Sequence, residues 1–306
     1  MLDIALLGTS GMMPLPDRYL SSALLRYKKQ NILIDCGEGT QVTLNILGWG
    51  FKQIDILCLT HFHADHVSGL PGFLHSLANA GKATPLTIIG PTGLKHVVES
   101  LLVIAKGLPF AIDYRELHRE PGDGVRTLRF GEIAISCLFV EHGVPCLAYR
   151  FDIARPGKFD LTAAQKLGIP RQLYRQLQQG HVVEYQGQVV TPDQVMGAAR
   201  KGFRVTYCTD SRPVARLATF ATDSDLFICE GIYGDNAKLS KAKAYNHMLF
   251  SEAANLAKTA KVMELWLTHY SPSLSHPEEW LMVASQIFPN THLGYDRKTT
   301  TLGYVD

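Results

Sequence analysis

Short apolar runs alternate with amphipathic stretches along most of the chain. Residues 2–7, 23–27, 31–34, 54–59 and 86–89 read as strands, mostly apolar and rich in β-branched or leucine positions. The runs 23–27 and 31–34 flank the polar triplet Lys28-Lys29-Gln30, a hairpin signal. Between strands, 38–47, 70–80 and 93–105 read as helices, with Gly48 as the stop of the first. Further strands are predicted at 125–130, 132–140 and 146–151, and buried ones at 204–208, 225–229 and 262–267. Helices are predicted over 249–258 and 277–288. This mixing predicts an α/β layered fold with sheets between helices.

Segment 152–202 breaks the pattern. Its apolar density falls and Gln rises, as in RQLYRQLQQG. It holds seven basic residues (Arg155, Lys158, Lys166, Arg171, Arg175, Arg200, Lys201) and four acidic ones (Asp152, Asp160, Glu184, Asp193), a local charge of +3. It is expected to be an inserted arm without a core of its own, within a single domain spanning 1–306. The plain alternative is a solvated helical excursion with no partner.

Composition narrows the classes. Of 306 residues, 46% are hydrophobic and 19% charged, enough for a sizeable core and unlike a disordered chain. Runs such as 54–60 and 134–140 are far shorter than a membrane span. The start, MLDIALLGTSG, has Asp3 and no basic stretch, unlike a signal peptide. Thirty basic against 28 acidic residues leave a formal charge of +2, which excludes a strongly basic nucleic-acid binder but not a basic patch. None of the six cysteines lies in C-x-x-C, and most sit in apolar runs, as expected of buried reduced thiols in a cytoplasmic protein.

The strongest chemical signal is His61-Phe62-His63-Ala64-Asp65-His66, directly after an apolar run. Side chains repeat every two residues on a strand end, so His61 and His63 share a side. A following turn presents Asp65 and His66 in another direction, an arrangement suited to two adjacent metals. Imidazole and carboxylate without thiolate suit zinc or another divalent cation. His142, Asp210 and His269 each end an apolar run, where strand ends open into a site. The six histidines 75, 96, 118, 181, 276 and 292 lack such a context.

The order of LGTSG, DCGEGTQ, HFHADH, GLPG, PLTIIGP, CTDSR, His247 with SEAANLAKTA, and LTHYS resembles the metallo-β-lactamase superfamily end to end. Within it the chain resembles the ribonuclease Z family of transfer-RNA 3′-processing endonucleases. The resemblance implies a four-layer αββα sandwich with an inserted substrate-binding arm. It implies two zinc ions per chain, one held by His61, His63 and His142, the second by Asp65, His66 and His269, with Asp210 bridging. It also makes Asp65 and His247 the catalytic residues, transfer-RNA precursor the substrate, and the protein a homodimer. Glu230, ending DLFICE, is a candidate partner for a histidine, against a surface strand-end carboxylate. GEGTQ is expected to shape a tight turn, and Ser10-Gly11 a loop near the site mouth. Three stretches depart from the family: Gly168–Leu173 lacks a glycine after Pro170, Cys229-Glu230-Gly231 replaces His-Glu-Ala, and Ser271-Pro272-Ser273-Leu274 replaces Ser-Ser-Arg-Tyr. The competing function is hydrolysis of a small phosphodiester or other ester, for which a 50-residue arm has no use.

Overall fold

A computed structural model describes residues 1–120, 122 and 124–304. Its strands are β1 (Leu2–Gly8), β2 (Ser22–Tyr27), β3 (Gln30–Ile34), β4 (Ile54–Cys58), β5 (Leu86–Pro91), β6 (Ile112–Leu117), β7 (Arg126–Phe130), β8 (Ile133–Phe139), β9 (Leu147–Arg155), β10 (Val183–Tyr185), β11 (Gln188–Val190), β12 (Arg200–Cys208), β13 (Leu226–Glu230), β14 (Leu265–Thr268), β15 (Thr291–Leu293) and β16 (Thr299–Leu302). Two seven-stranded sheets form, ordered β16-β1-β2-β3-β4-β5-β6 and β15-β14-β13-β12-β9-β8-β7. Each is antiparallel at one end and parallel at the other: β3 to β6 run parallel, as do β12 to β15.

The central strands are apolar on both faces, and the structure shows why. Ala5, Leu7, Leu24, Leu33, Leu57 and Ile88 pack against residues of the helices Thr40–Leu47, Leu70–Asn79 and Leu94–Leu101. Their alternates Ile4, Leu6, Leu25, Ile32, Ile56 and Ile89 point the other way and are equally buried. In the second sheet Leu138, Ala148, Cys208, Phe227 and Leu267 pack with residues of the helices Ala215–Phe220 and Phe250–Ala260. Tyr149, on the opposite face of β9, donates its hydroxyl to Leu59 O at the end of β4 (2.6 Å). The two sheets thus lie face to face with helices outside, the expected four layers.

The chain divides into two units, one made of Met1–Asp152 with the chain from Arg204 onward, the other of Ile153–Phe203. The second departs from the sequence expectation of an arm without a core. Ala164, Ile169, Leu177, Val183, Val190 and Val195 are buried together, with Phe159 and Tyr174 against them. Two short helices, Leu161–Lys166 and Arg171–Gln178, and the β10–β11 hairpin contribute most of these residues, and the connecting segments supply Phe159, Ile169 and Val195. Sparse apolar positions suffice because a helix pair and a hairpin can point them all inward. The structure contains strands that the pattern missed, β6, β15 and β16, whose exposed and half-buried positions blur the alternation. The predicted helix 277–288 is a 3₁₀ turn, Pro277–Trp280, followed by the short helix Leu281–Ser285.

Candidate metal centre

The site lies where the parallel strands end. β4 runs into His61–His66, β8 leads to His142, β12 to Asp210, and β14 to His269. Asp35, Asp210 and His269, each just beyond a strand, have φ of 53°, 51° and 58°. That left-handed region costs a non-glycine residue energy and turns the chain sharply out of the sheet. Its presence three times around one centre shows the fold holding these residues in place.

All seven predicted ligand residues come together. Ligand atoms of His61, His63, His142 and Asp210 lie within 4.8 Å of one another, and so do those of Asp65, His66 and His269. Asp210 stands between the two groups. Its Oδ1 is 3.2 Å from His66 Nε2 and 3.1 Å from His269 Nε2. Its Oδ2 is 3.7 Å from both His61 Nε2 and His142 Nε2. Ring nitrogens face each other at 3.3 Å in two places, His142 Nε2 with His63 Nδ1 and His66 Nε2 with His269 Nε2. Buried His61 Nε2 and Asp210 Oδ1 have no hydrogen-bond partner. Orphaned buried atoms converging as an all-nitrogen-and-oxygen donor set fit a pair of divalent cations, zinc included.

Charge in the cluster follows from burial and proximity. Burial opposes ionisation of Asp210, but His269, His66 and His61 outweigh it and hold its carboxyl well below the usual range. The same opposition, with His66 the leading attraction, holds Asp65 low. His61 is pushed well below the ordinary imidazole value by burial and by His66.

Several surrounding residues orient these groups. Asp35, fully buried, accepts from His66 Nδ1 at 2.8 Å, from Thr60 N at 2.8 Å and from the Thr60 hydroxyl at 2.9 Å. With its Nδ1 proton held there, His66 presents the Nε2 lone pair to the centre. The Asn246 carbonyl sits 3.3 Å from His142 Nδ1. Met12 N–H donates to Asp65 Oδ2 at 2.7 Å. A Cβ on Gly11 would lie 2.6 Å from the His269 ring, so only glycine lets this loop reach the centre. The expected loop near the site mouth thus touches two candidate ligands. A Cβ on Gly37 of GEGTQ would lie 2.4 Å from Asp65 O, in keeping with a packed turn.

His247 lies at the rim. Glu230 is fully buried, not a surface carboxylate, and its Oε2 accepts from His247 Nδ1 at 3.0 Å while Oε1 accepts from Ser211 N–H. Burial opposes the His247 charge, and Glu230 outweighs it, raising the pKa to about 9. Arg212 bonds the His247 carbonyl and forms a two-pronged pair with Glu252, whose Oε2 also accepts from Leu249 N–H at 3.0 Å. His247 also lies with Asp210 and His269 in a third grouping of ligand atoms within 4.8 Å. Sequence reading missed Asp35, Met12 and the Arg212–Glu252 clamp as parts of the site. Asp35 alone carried a usable signal, a carboxylate ending an apolar run before a glycine-rich turn.

A ribonuclease Z of Lachnospira eligens is 50% identical over 306 residues, covering 100% of this chain and 99% of that protein. The chain belongs to the ribonuclease Z family. The crystal structure of human tRNase Z, short form, shares the fold of this family member with a TM-score of 0.72 at 21% identity, covering 99% of this chain and 100% of that one. The metallo-β-lactamase fold protein YhfI of Bacillus subtilis superposes with a TM-score of 0.69 at 19% identity, over 98% of this chain and 100% of its own. The chain therefore has the metallo-β-lactamase fold. A family model described as Anti-Pycsar protein Apyc1 matches residues 2–103.

Proposed function

We propose that the protein is a zinc-dependent endoribonuclease that removes the 3′ trailer from transfer-RNA precursors and leaves a 3′-hydroxyl on the transfer RNA. Full-length kinship with a ribonuclease Z at 50% identity carries the reading, and the convergent histidine and aspartate cluster supports it. In this reading His61, His63 and His142 would hold one zinc and Asp65, His66 and His269 the other, with Asp210 placed to serve both. When bound, the two cations supply an acidified water and a positive seat for phosphate oxygens.

The chain's own groups do the rest. Asp65, kept ionised and fixed by Met12 N–H, orients the attacking water or takes its proton. His247 is protonated at neutral pH and has Nδ1 tied to Glu230, leaving Nε2 to stabilise charge or protonate the leaving 3′-oxygen. Attack by water on phosphorus needs no ribose 2′-oxygen and forms no cyclic phosphate; the P–O3′ bond breaks, so the transfer RNA keeps a 3′-hydroxyl and the trailer the phosphate. The basic arm, residues 152–202, binds the transfer-RNA body and takes no part in the chemistry. The protein works as a cytoplasmic homodimer; its six buried free cysteines suit a reducing compartment. Among the described residues no helix is long and apolar enough to cross a membrane.

The test is cleavage of a precursor carrying a 3′ trailer, mapped to the nucleotide, with and without chelator. One cut after the discriminator base is expected, lost on chelation and restored by zinc, in protein carrying close to two zinc ions per chain by elemental analysis. Turnover of a small phosphodiester with the precursor left intact would instead favour the small-substrate reading.

A further inference from the structure

The short helix Leu239–Ala244, just before His247, and its N-cap Lys238 carry a cluster of lysines that the reading above leaves unused. Residues 236–245 hold three lysines, Lys238, Lys241 and Lys243, and no Asp or Glu. The preceding acid, Asp235, accepts the Ala237 N–H at 2.8 Å. Lys238 Nζ lies 5.3 Å and Lys241 Nζ 5.2 Å from the centroid of the same Tyr233 ring. Tyr233 is buried, and its ring holds both ammonium groups near one another. Two neighbouring cations repel one another, and an anion between them relieves that repulsion. Lys243 is exposed on the same helix, and Tyr245, at its end, is 62% exposed.

This cluster is tied to the candidate catalytic residue. His247 N–H donates to Ala242 O at 2.8 Å, and Asn246 N–H to Lys243 O at 3.3 Å, so hydrogen bonds join the end of the helix to His247. Four residues at about 3.8 Å each put Lys243 at most about 15 Å of backbone from His247. One strand of nucleic acid advances about 3.4 Å per phosphate along a duplex axis, so this is a reach of about four nucleotides. Tyr245 adds a ring on which a base can stack.

We propose that Lys238 and Lys241, with Lys243 on the other side of the short helix and Tyr245 at its end, form a phosphate-binding surface for the RNA strand next to the scissile phosphate. The proposal rests on the endoribonuclease reading and places a grip on the body that also bears the metal centre. A purely structural role is available to these lysines, since cations near a helix C-terminus favour its dipole. That role predicts no change in how salt affects RNA cleavage, and the proposed one does.

The experiment compares the full-length zinc enzyme with two triple variants, Lys238→Ala/Lys241→Ala/Lys243→Ala and the same positions changed to Arg. kcat/KM for a transfer-RNA precursor is measured from 50 to 200 mM KCl. Each phosphate contact contributes about 0.7 to 0.9 to the slope of log affinity against log salt. The alanine variant should therefore show a slope shallower by about 2 to 3, and its loss between the two salt concentrations should be about 20- to 40-fold smaller. The arginine variant should keep the original slope. Alanine favours helix, so the variant should fold. An unchanged slope in the alanine variant overturns the proposal while leaving the endoribonuclease reading intact. Failure of the unsubstituted enzyme to cleave the precursor at any salt concentration overturns both.

Discussion

Replacing Asp35 by Asn should weaken zinc binding without altering any residue assigned to hold metal. Asp35 accepts from His66 Nδ1, from Thr60 N–H and from the Thr60 hydroxyl, all at 2.8 to 2.9 Å and fully buried. Asparagine is nearly isosteric but has one acceptor oxygen. If that oxygen stays with Thr60, the new amide N–H points at His66 Nδ1, which must then become the acceptor. The ring proton moves to Nε2, the nitrogen 3.2 Å from Asp210 Oδ1 and 3.3 Å from His269 Nε2. A metal must displace that proton or pay for the less favoured tautomer. Loss of such an orienting carboxylate costs about 10- to 100-fold in metal affinity, or about 1.4 to 2.7 kcal/mol. Competition against a chromogenic chelator resolves the two zinc affinities, and the weaker of them should fall by that factor. Asp35→Ala should do more harm, because it strips a buried Thr60 N–H of its acceptor at a further cost of about 1 to 3 kcal/mol of fold stability. Zinc affinities within twofold of the original in folded Asp35→Asn protein would refute the argument.

Three further outcomes are expected. His247→Ala should lower the single-turnover rate by on the order of a hundredfold or more while zinc content stays the same; loss of zinc would instead make His247 a ligand, as its grouping with Asp210 and His269 permits. Asp296 is buried, accepts from Thr9 Oγ1 and Tyr19 N–H, and has its pKa raised to about 6, chiefly by burial. Its folded-state pKa exceeds the unfolded one, so its favourable contribution is full below about 4 and is lost as pH rises through about 6. Chelated wild-type protein should therefore lose about 2 to 3 kcal/mol relative to Asp296→Asn between those limits in denaturant titrations, and a flat difference would contradict the assignment. Replacing 155–200 with a short Gly-Ser linker should reduce precursor cleavage at least a hundredfold but leave hydrolysis of a small chromogenic phosphodiester within about tenfold, because binding lost with the arm does not affect a substrate that never used it; equal losses on both substrates would remove the arm from RNA binding.

Much of the fold was legible as pattern, because burial on both faces of a sheet leaves a local record in each strand. β1 to β5, β8 and the helix Leu70–Asn79 lie within a few residues of where their apolar runs predict them. β6 and β16 lay hidden because half-exposed edge strands keep little of that record. The candidate site divides the same way. Four of its residues crowd into His61–His66, a spacing visible at once. His142, Asp210 and His269 were recognisable only as polar residues ending apolar runs.

What holds those residues was decided by tertiary structure. Asp35 reaches His66 across 31 positions and Glu230 reaches His247 across 17. Gly11 must lack a Cβ because of a ring 258 residues away, at His269. None of these pairs shares a helical or strand period, so no local pattern could join them. Sheet order does, by bringing the ends of β3, β4, β12, β13 and β14 to one edge. Local sequence set the elements, because hydrophobic periodicity acts within a few residues. The order and facing of the strands set the site, because hydrogen bonds and shared charge act only between groups that packing has already brought within a few ångströms.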